Sequence, residues 1–193
     1  MAVDPGDANH WLAGGATGGV WESRDGGLTW SPRTDDQPTL ATGATAFAPS
    51  NPKIVYVGTG EVGFSRDAYA GLGLLKSTDG GTTWTLKQTP NLVRASVAAI
   101  RVHPTDPNTL VTATTRGNSG RYTEPMPSPP EYGILRSTDG GSTWTLTMSG
   151  EVTALVVDAG NFSRQFAAIG RSEPAGPHRF PESPPKWRPR PLK

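Results

Sequence analysis

The phrase STDGGTTW at residues 77–84 returns as STDGGSTW at 137–144 and as SRDGGLTW at 23–30. A phrase repeated inside otherwise dissimilar sequence marks a repeat architecture, and it constrains the fold more than any bulk property. Aligning the copies on Asp25, Asp79 and Asp139 extends the match. A glycine stands four residues before each phrase's serine (Gly19, Gly73, Gly133), and a large apolar residue stands two before it (Trp21, Leu75, Leu135). A second landmark lies upstream, at Pro5, Pro49 and Pro104, with Ala159 falling in the same frame.

Each unit reads as four strands. Strand A is the apolar run before the landmark proline, as in VAAIRV. Strand B follows it in IVYVGT, TLVTAT and RQFAAI; strand C precedes the phrase in GLLKS and GILRS; strand D leaves it in TWTLK and TWTLTM. The phrase is then a hairpin between C and D. Asp-Gly-Gly supplies residues that tolerate positive φ, and the Asp carboxylate accepts hydrogen bonds from its own turn. The structural set is Ser23, Asp25, Gly27, Thr29 and Trp30; Ser77, Asp79, Gly81, Thr83 and Trp84; and Ser137, Asp139, Gly141, Thr143 and Trp144. Composition agrees: 24 Gly and 19 Pro in 193 residues, with 34% hydrophobic residues, suit short strands and turns rather than helices.

Four-stranded units of this length, stacked radially, describe a β-propeller. The blades fall at about 1–40, 41–94 and 95–150, with a half-blade at 151–170, so about 3.5 blades are expected. The 171–193 tail holds seven of the prolines and six Lys/Arg against two Glu, and it reads as a disordered or polyproline segment. Its break in mid-blade makes the chain read as a fragment, completed by missing blades of a parent chain or by self-association.

The phrase resembles the Asp-box, or BNR repeat, of sialidases, xyloglucan-cleaving glycoside hydrolases, sortilin-type receptors and a photosystem assembly factor. The segment VYVGTGEVGFSRDAYAGLGLLKSTDGG is similar to bacterial secreted BNR-repeat proteins of glycosyl-hydrolase type. The resemblance implies a propeller, a secreted or periplasmic parent, and a glycan ligand. The alternative it implies is a protein or peptide ligand on a non-enzymatic scaffold.

In such a meander the A–B turns and the C–D phrases share one face, and the B–C and D–A loops share the other. Chemistry belongs on the second face, because length varies there. The interval from Pro5 to Asp25 is 20 residues, from Pro49 to Asp79 it is 30, and from Pro104 to Asp139 it is 35. The inserted loops carry Glu61, Arg66, Asp67, Tyr69, Arg116, Arg121, Tyr122, Glu124, Glu131 and Tyr132. Glu61 with Asp67, or Glu61 with Glu131, is the candidate carboxylate pair for glycoside hydrolysis; Arg66, Tyr69, Arg116, Arg121, Tyr122 and Tyr132 are candidate ligand contacts. Against catalysis, these charges read first as solvated loop residues, and the early Arg-Ile-Pro motif of sialidases is missing.

Other chemistries find little footing. With no cysteine there is no thiolate site. His10 and His103 fall in A–B turns and His178 in the tail, so no metal site is expected. The GTGEVG run lacks a following helix, so no phosphate loop and no cofactor are expected. Residues 1–170 carry 12 Lys/Arg against 15 Asp/Glu, which argues against nucleic acid. No apolar run reaches the length of a membrane span, and the N-terminus has no signal-peptide pattern.

Overall fold

The computed structural model describes residues 1–62, 68–117 and 131–170. The chain is all-β among these residues. One four-stranded antiparallel sheet holds β1 (Ala2–Asp4), β2 (Asp7–Gly15), β3 (Gly19–Ser23) and β4 (Ser31–Pro32). The next holds β5 (Thr42–Phe47), β6 (Val55–Thr59), β7 (Leu74–Ser77) and β8 (Thr85–Lys87). A third holds β9 (Ala95–Val102), β10 (Leu110–Arg116), β11 (Gly133–Ser137) and β12 (Thr145–Ser149). A two-stranded sheet, β13 (Val152–Asp158) and β14 (Asn161–Ile169), follows. Neighbouring strands are consecutive in every sheet, and the first strands pack side by side: β1 on β5, β5 on β9, and β9 on β13. This is a meander per blade with the first strand innermost, an incomplete β-propeller of about 3.5 blades.

Hydrophobic cores lie between sheets. Leu12 and Val20 of the first sheet meet Phe47, Val55, Val57 and Leu75 of the second. On its other side the second sheet sends Tyr56 and Leu74 against Ile100, Leu110 and Leu135 of the third. The third then packs Val111, Ala113 and Ile134 on Val152 and Leu155. Fully burying one such side chain stabilises the fold by about 1.5–3 kcal/mol. Middle sheets are therefore buried on both faces, and every residue of β6 is buried. The end sheets each keep an open face. Trp21 holds the register position of Leu75 and Leu135, which are fully buried, yet it is 40% exposed. At the other end Val156 and Phe166, paired across β13 and β14, are also exposed.

The repeated phrase forms the same turn three times. Ser23, Ser77 and Ser137 each donate from Oγ to Oδ1 of the following Asp at 2.8 Å. The second glycine's amide donates back to that Oγ, at 2.8 Å for Gly27 and Gly81 and 2.9 Å for Gly141. Thr29, Thr83 and Thr143 donate from the amide to Oδ1 at 2.9 Å and from Oγ1 to Oδ2 at 2.6 Å. Both glycines of each turn have positive φ, such as 71° at Gly26 and 91° at Gly27, where a side chain would be strained. The first glycine's amide also reaches the chain at or just after the A–B turn, from Gly26 to Asn9 O near the start of β2, Gly80 to Lys53 O and Gly140 to Asn108 O. One hydrogen bond per blade thus ties its two turns together on a shared face.

The glycine four residues before the serine has a different cause in the second and third sheets, whereas at Gly19, with φ of 69°, a Cβ would meet the Thr34 side chain. A Cβ on Gly133 would collide with the carbonyl oxygen of Met148, and one on Gly73 with that of Lys87. Strand D presses on strand C at this point, and only a bare backbone fits.

Candidate binding face

The turn carboxylates are fully engaged. Hydrogen bonds from Thr29 and Ser23 hold the Asp25 carboxyl down at about 2. At Asp79 burial works in the opposite sense, but the donors of Thr83, Ser77 and Thr82 outweigh it and bring that group to about 2 as well. Asp139 is lowered further by Thr143 and its neighbours. Each carboxylate closes its own turn.

On the opposite face, a threonine ties off the neck of each long B–C loop. Thr59 Oγ1 donates to Gly73 O at 2.7 Å and accepts from the amides of Leu72 and Gly73, both at 2.9 Å. Thr114 Oγ1, at the equivalent register position of the third sheet, bonds Gly133 O at 3.1 Å and accepts its amide at 2.9 Å. The first sheet needs no such tie, because β2 runs into β3 through a tight turn.

Between the second sheet's B–C segment and the D–A loop of the first sheet lies a cavity of about 360 Å³. Thr17, Pro38 to Ala41, and Tyr69, Ala70 and Leu72 line it. Tyr69 is 44% exposed there. Glu61 frames it: its amide donates to Tyr69 O at 2.8 Å, and its Oε2 accepts the Tyr69 amide at 3.3 Å. Of the residues singled out from sequence, Glu61 and Tyr69 are thus brought together.

A second group forms around the third sheet. Arg116 Nε lies 3.1 Å from Glu151 Oε1, whose Oε2 accepts the Thr115 hydroxyl at 3.2 Å. Tyr132 stands beside them: burial pushes its phenol up, with Glu151 adding to this and Arg94 and Arg116 opposing it. Glu131 is exposed next to it. Arg66, Asp67, Arg121, Tyr122 and Glu124 lie outside the described residues, as do His178 and the rest of the tail.

Two members of this region escaped sequence reasoning. Glu151 opens the two-stranded sheet and carries no motif. Arg94 has φ of 72°, the one non-glycine in the left-handed region among the described residues, and its amide donates to Gly71 O at 2.7 Å. Nothing in its flanking sequence signals that conformation.

His10 departs from expectation. It lies within β2 rather than in a turn, 1% exposed, with Nδ1 2.9 Å from Asp4 Oδ2 and Nε2 2.9 Å from Glu22 Oε1. Burial raises the Glu22 pKa, but hydrogen bonds and charge from Arg33 and Arg24 outweigh it and hold the carboxyl below its ordinary value. Arg24 Nη2 approaches at 2.7 Å and Arg33 Nη2 at 2.6 Å. The cluster closes the seam between the first two sheets, where His10 also meets Phe47 edge-on. No group of three or more metal-ligating side chains occurs among the described residues. No helix of the described structure is long and apolar enough to cross a membrane.

The sheets and their order define a β-propeller scaffold, and solved structures of that class resemble it. An ancestral GH74 enzyme superposes with a TM-score of 0.63 at 24% identity, covering 86% of this chain and 21% of its own. The GH74 xyloglucanase from Xanthomonas campestris gives 0.60 at 17% identity, covering 87% of this chain and 27% of its own. YCF48 bound to D1 peptide gives 0.55 at 18% identity, with 83% of this chain and 44% of that one covered. The chain therefore spans about a fifth to less than half of these structures. No protein-family model matches it, and no curated protein is similar to it in sequence.

Proposed function

We propose that this chain is part of an extracellular Asp-box propeller of glycosyl-hydrolase-like type that engages a glycan through its B–C loop face, without turnover by these blades alone. The observation that carries the reading is the cavity under Tyr69. Its volume falls in the range of small-ligand sites, and it offers an exposed aromatic face beside the hydroxyls of Thr17 and Thr39. A pyranose ring packs its C–H face on an aromatic ring while its hydroxyls bond to side groups. The fold likeness to a GH74 xyloglucanase suggests xyloglucan oligosaccharides as the first probe. The open faces at Trp21 and Phe166 take further blades, from a parent chain or a second copy.

Titration calorimetry of the full chain with a xyloglucan oligosaccharide series tests this. Binding should weaken at least about tenfold in Tyr69→Ala, the scale of losing one stacked ring. No binding by any oligosaccharide, or equal binding by the variant, overturns the reading. Glu61→Gln and Asp67→Asn are expected to leave any hydrolysis unchanged; loss of turnover in either would make these loops catalytic. A second reading, a peptide-binding scaffold, is favoured by the likeness to YCF48 in complex with a peptide. Binding of peptides but not sugars at Tyr69 would select it.

A further inference from the structure

The seams between successive sheets are built on the same register, yet they differ in charge. Glu22 pairs with Leu12 on one side and Ser31 on the other; Lys76 pairs with Tyr56 and Thr85, and so occupies the equivalent place. One step along, Arg33 of the first sheet corresponds to Lys87 of the second. The first seam thus holds a carboxylate gripped by Arg24 and Arg33. The second seam keeps a cation at the Arg33 place as Lys87, has Thr78 at the Arg24 place, and carries Lys76 where the carboxylate stood, so it holds two cations and no carboxylate at these positions.

Lys76 and Lys87 are half-buried and lie on one face of the second sheet, against the third sheet's turn. Lys87 Nζ donates to Ser142 Oγ at 2.8 Å and Lys76 Nζ to Asn108 Oδ1 at 3.4 Å, so both spend a proton on neutral partners. Burial and the charge of Lys87 push the Lys76 ammonium's pKa down, against the pull of Asp139. Between them opens a cavity of about 280 Å³, lined additionally by Thr78, Thr83 and Thr85. Thr83 commits its proton to Asp79, and Thr78 and Thr85 each add a hydroxyl-bearing side chain to the lining. The nearby Asp79 and Asp139 are closed by their own turns and do not fill the space.

We propose that this second seam binds a single oxyanion group, held between the Lys76 and Lys87 ammoniums and the Thr78 and Thr85 hydroxyls, in the role that Glu22 fills internally one blade earlier. The site is on the blade flank, separate from the loop face. Its ligand is a phosphate, sulfate or carboxylate, either free or carried on a saccharide.

The test uses the full chain titrated with inorganic phosphate at pH 7, with ionic strength held constant by sodium chloride. One equivalent should bind, and at about five times its dissociation constant the unfolding temperature should rise by about 2–4 °C. Lys76→Gln and Lys87→Gln should each weaken binding at least about tenfold. Lys53→Gln, which alters an exposed lysine in an A–B turn, should not. Lys76→Gln relieves a half-buried like-charge pair, so without phosphate it should unfold at or above the wild-type temperature, which separates loss of the site from loss of the fold. A phosphate response no larger than that to chloride, or equal loss in Lys53→Gln, overturns the proposal. Glucose 6-sulfate binding tenfold tighter than inorganic sulfate assigns the group to a saccharide; equal binding assigns a free ion.

Discussion

Replacing Glu22 by Gln should destabilise the chain more than any other isosteric change of a charged side chain. The Glu22 carboxylate is 2% exposed and accepts from Arg24 Nη2, Arg33 Nη2 and, at 2.8 Å, Arg33 Nε, while also facing His10 Nε2. A carboxamide keeps the shape but removes the charge and turns an NH₂ toward donors. Removing one partner of a buried ion pair costs about 3–5 kcal/mol. Arg24 and Arg33 are 55% and 34% exposed, so water recovers part of this and about 2–3 kcal/mol remains. For a chain of this size that lowers the unfolding midpoint by about 4–12 °C. Urea unfolding followed by tryptophan fluorescence at pH 7 measures it, with m unchanged. Because the folded pKa of Glu22 lies below its unfolded value, the native state binds fewer protons here. The contribution is complete above the unfolded value and fades as pH falls through the folded one, so Glu22→Gln should also flatten the acid limb of the stability curve. A loss below about 0.5 kcal/mol, the scale of an ordinary surface substitution, would refute the reasoning. So would zero coupling between Glu22→Gln and Arg33→Gln in a double-mutant cycle.

Gly133→Ala should cost about 2–3 kcal/mol by overpacking, since the new methyl meets the Met148 carbonyl, whereas Gly26→Ala should cost only about 1–2 kcal/mol for its left-handed φ; reversed order by urea unfolding would count against the close-approach account. Thr114→Val should cost about 1–3 kcal/mol by leaving the buried Gly133 amide unpaired, and amide exchange at Gly133 should accelerate. Asp25 and Asp79 titrate near 2 when folded, so their support is present above about pH 4 and is lost as pH drops toward 2; the Asp25→Asn, Asp79→Asn double variant should lose that part of the acid transition, and an unchanged acid profile would contradict it.

The fold was legible because its punctuation is chemical. Ser, Asp, Gly-Gly and Thr are each required by a hydrogen bond or a dihedral angle of one turn, and three copies fix the strands around them. The inner face of each blade was legible through the alternation of apolar residues such as Leu74 and Leu75, which serve opposite seams. The candidate site was legible only as a face. Tyr69 and Glu61 could be placed on a loop, but their meeting depends on how the chain returns between Gly60 and Gly71, which no pattern encodes. His10 was misplaced because a histidine beside a turn motif looks solvent-facing, and its partners Asp4 and Glu22 come from other strands. Arg94 carries no signal, since a left-handed arginine is held by its surroundings rather than by its own preference.

The threonine ties at Thr59 and Thr114 have an evolutionary consequence. Each knots the chain on itself where strand B ends and strand C begins, joining Thr59 to Gly73 and Thr114 to Gly133. The pairing of strands B and C is therefore fixed at the neck of each segment. A change of length between the tied residues can leave the register of strands B and C in place, and evolution can vary that length without rebuilding the blade.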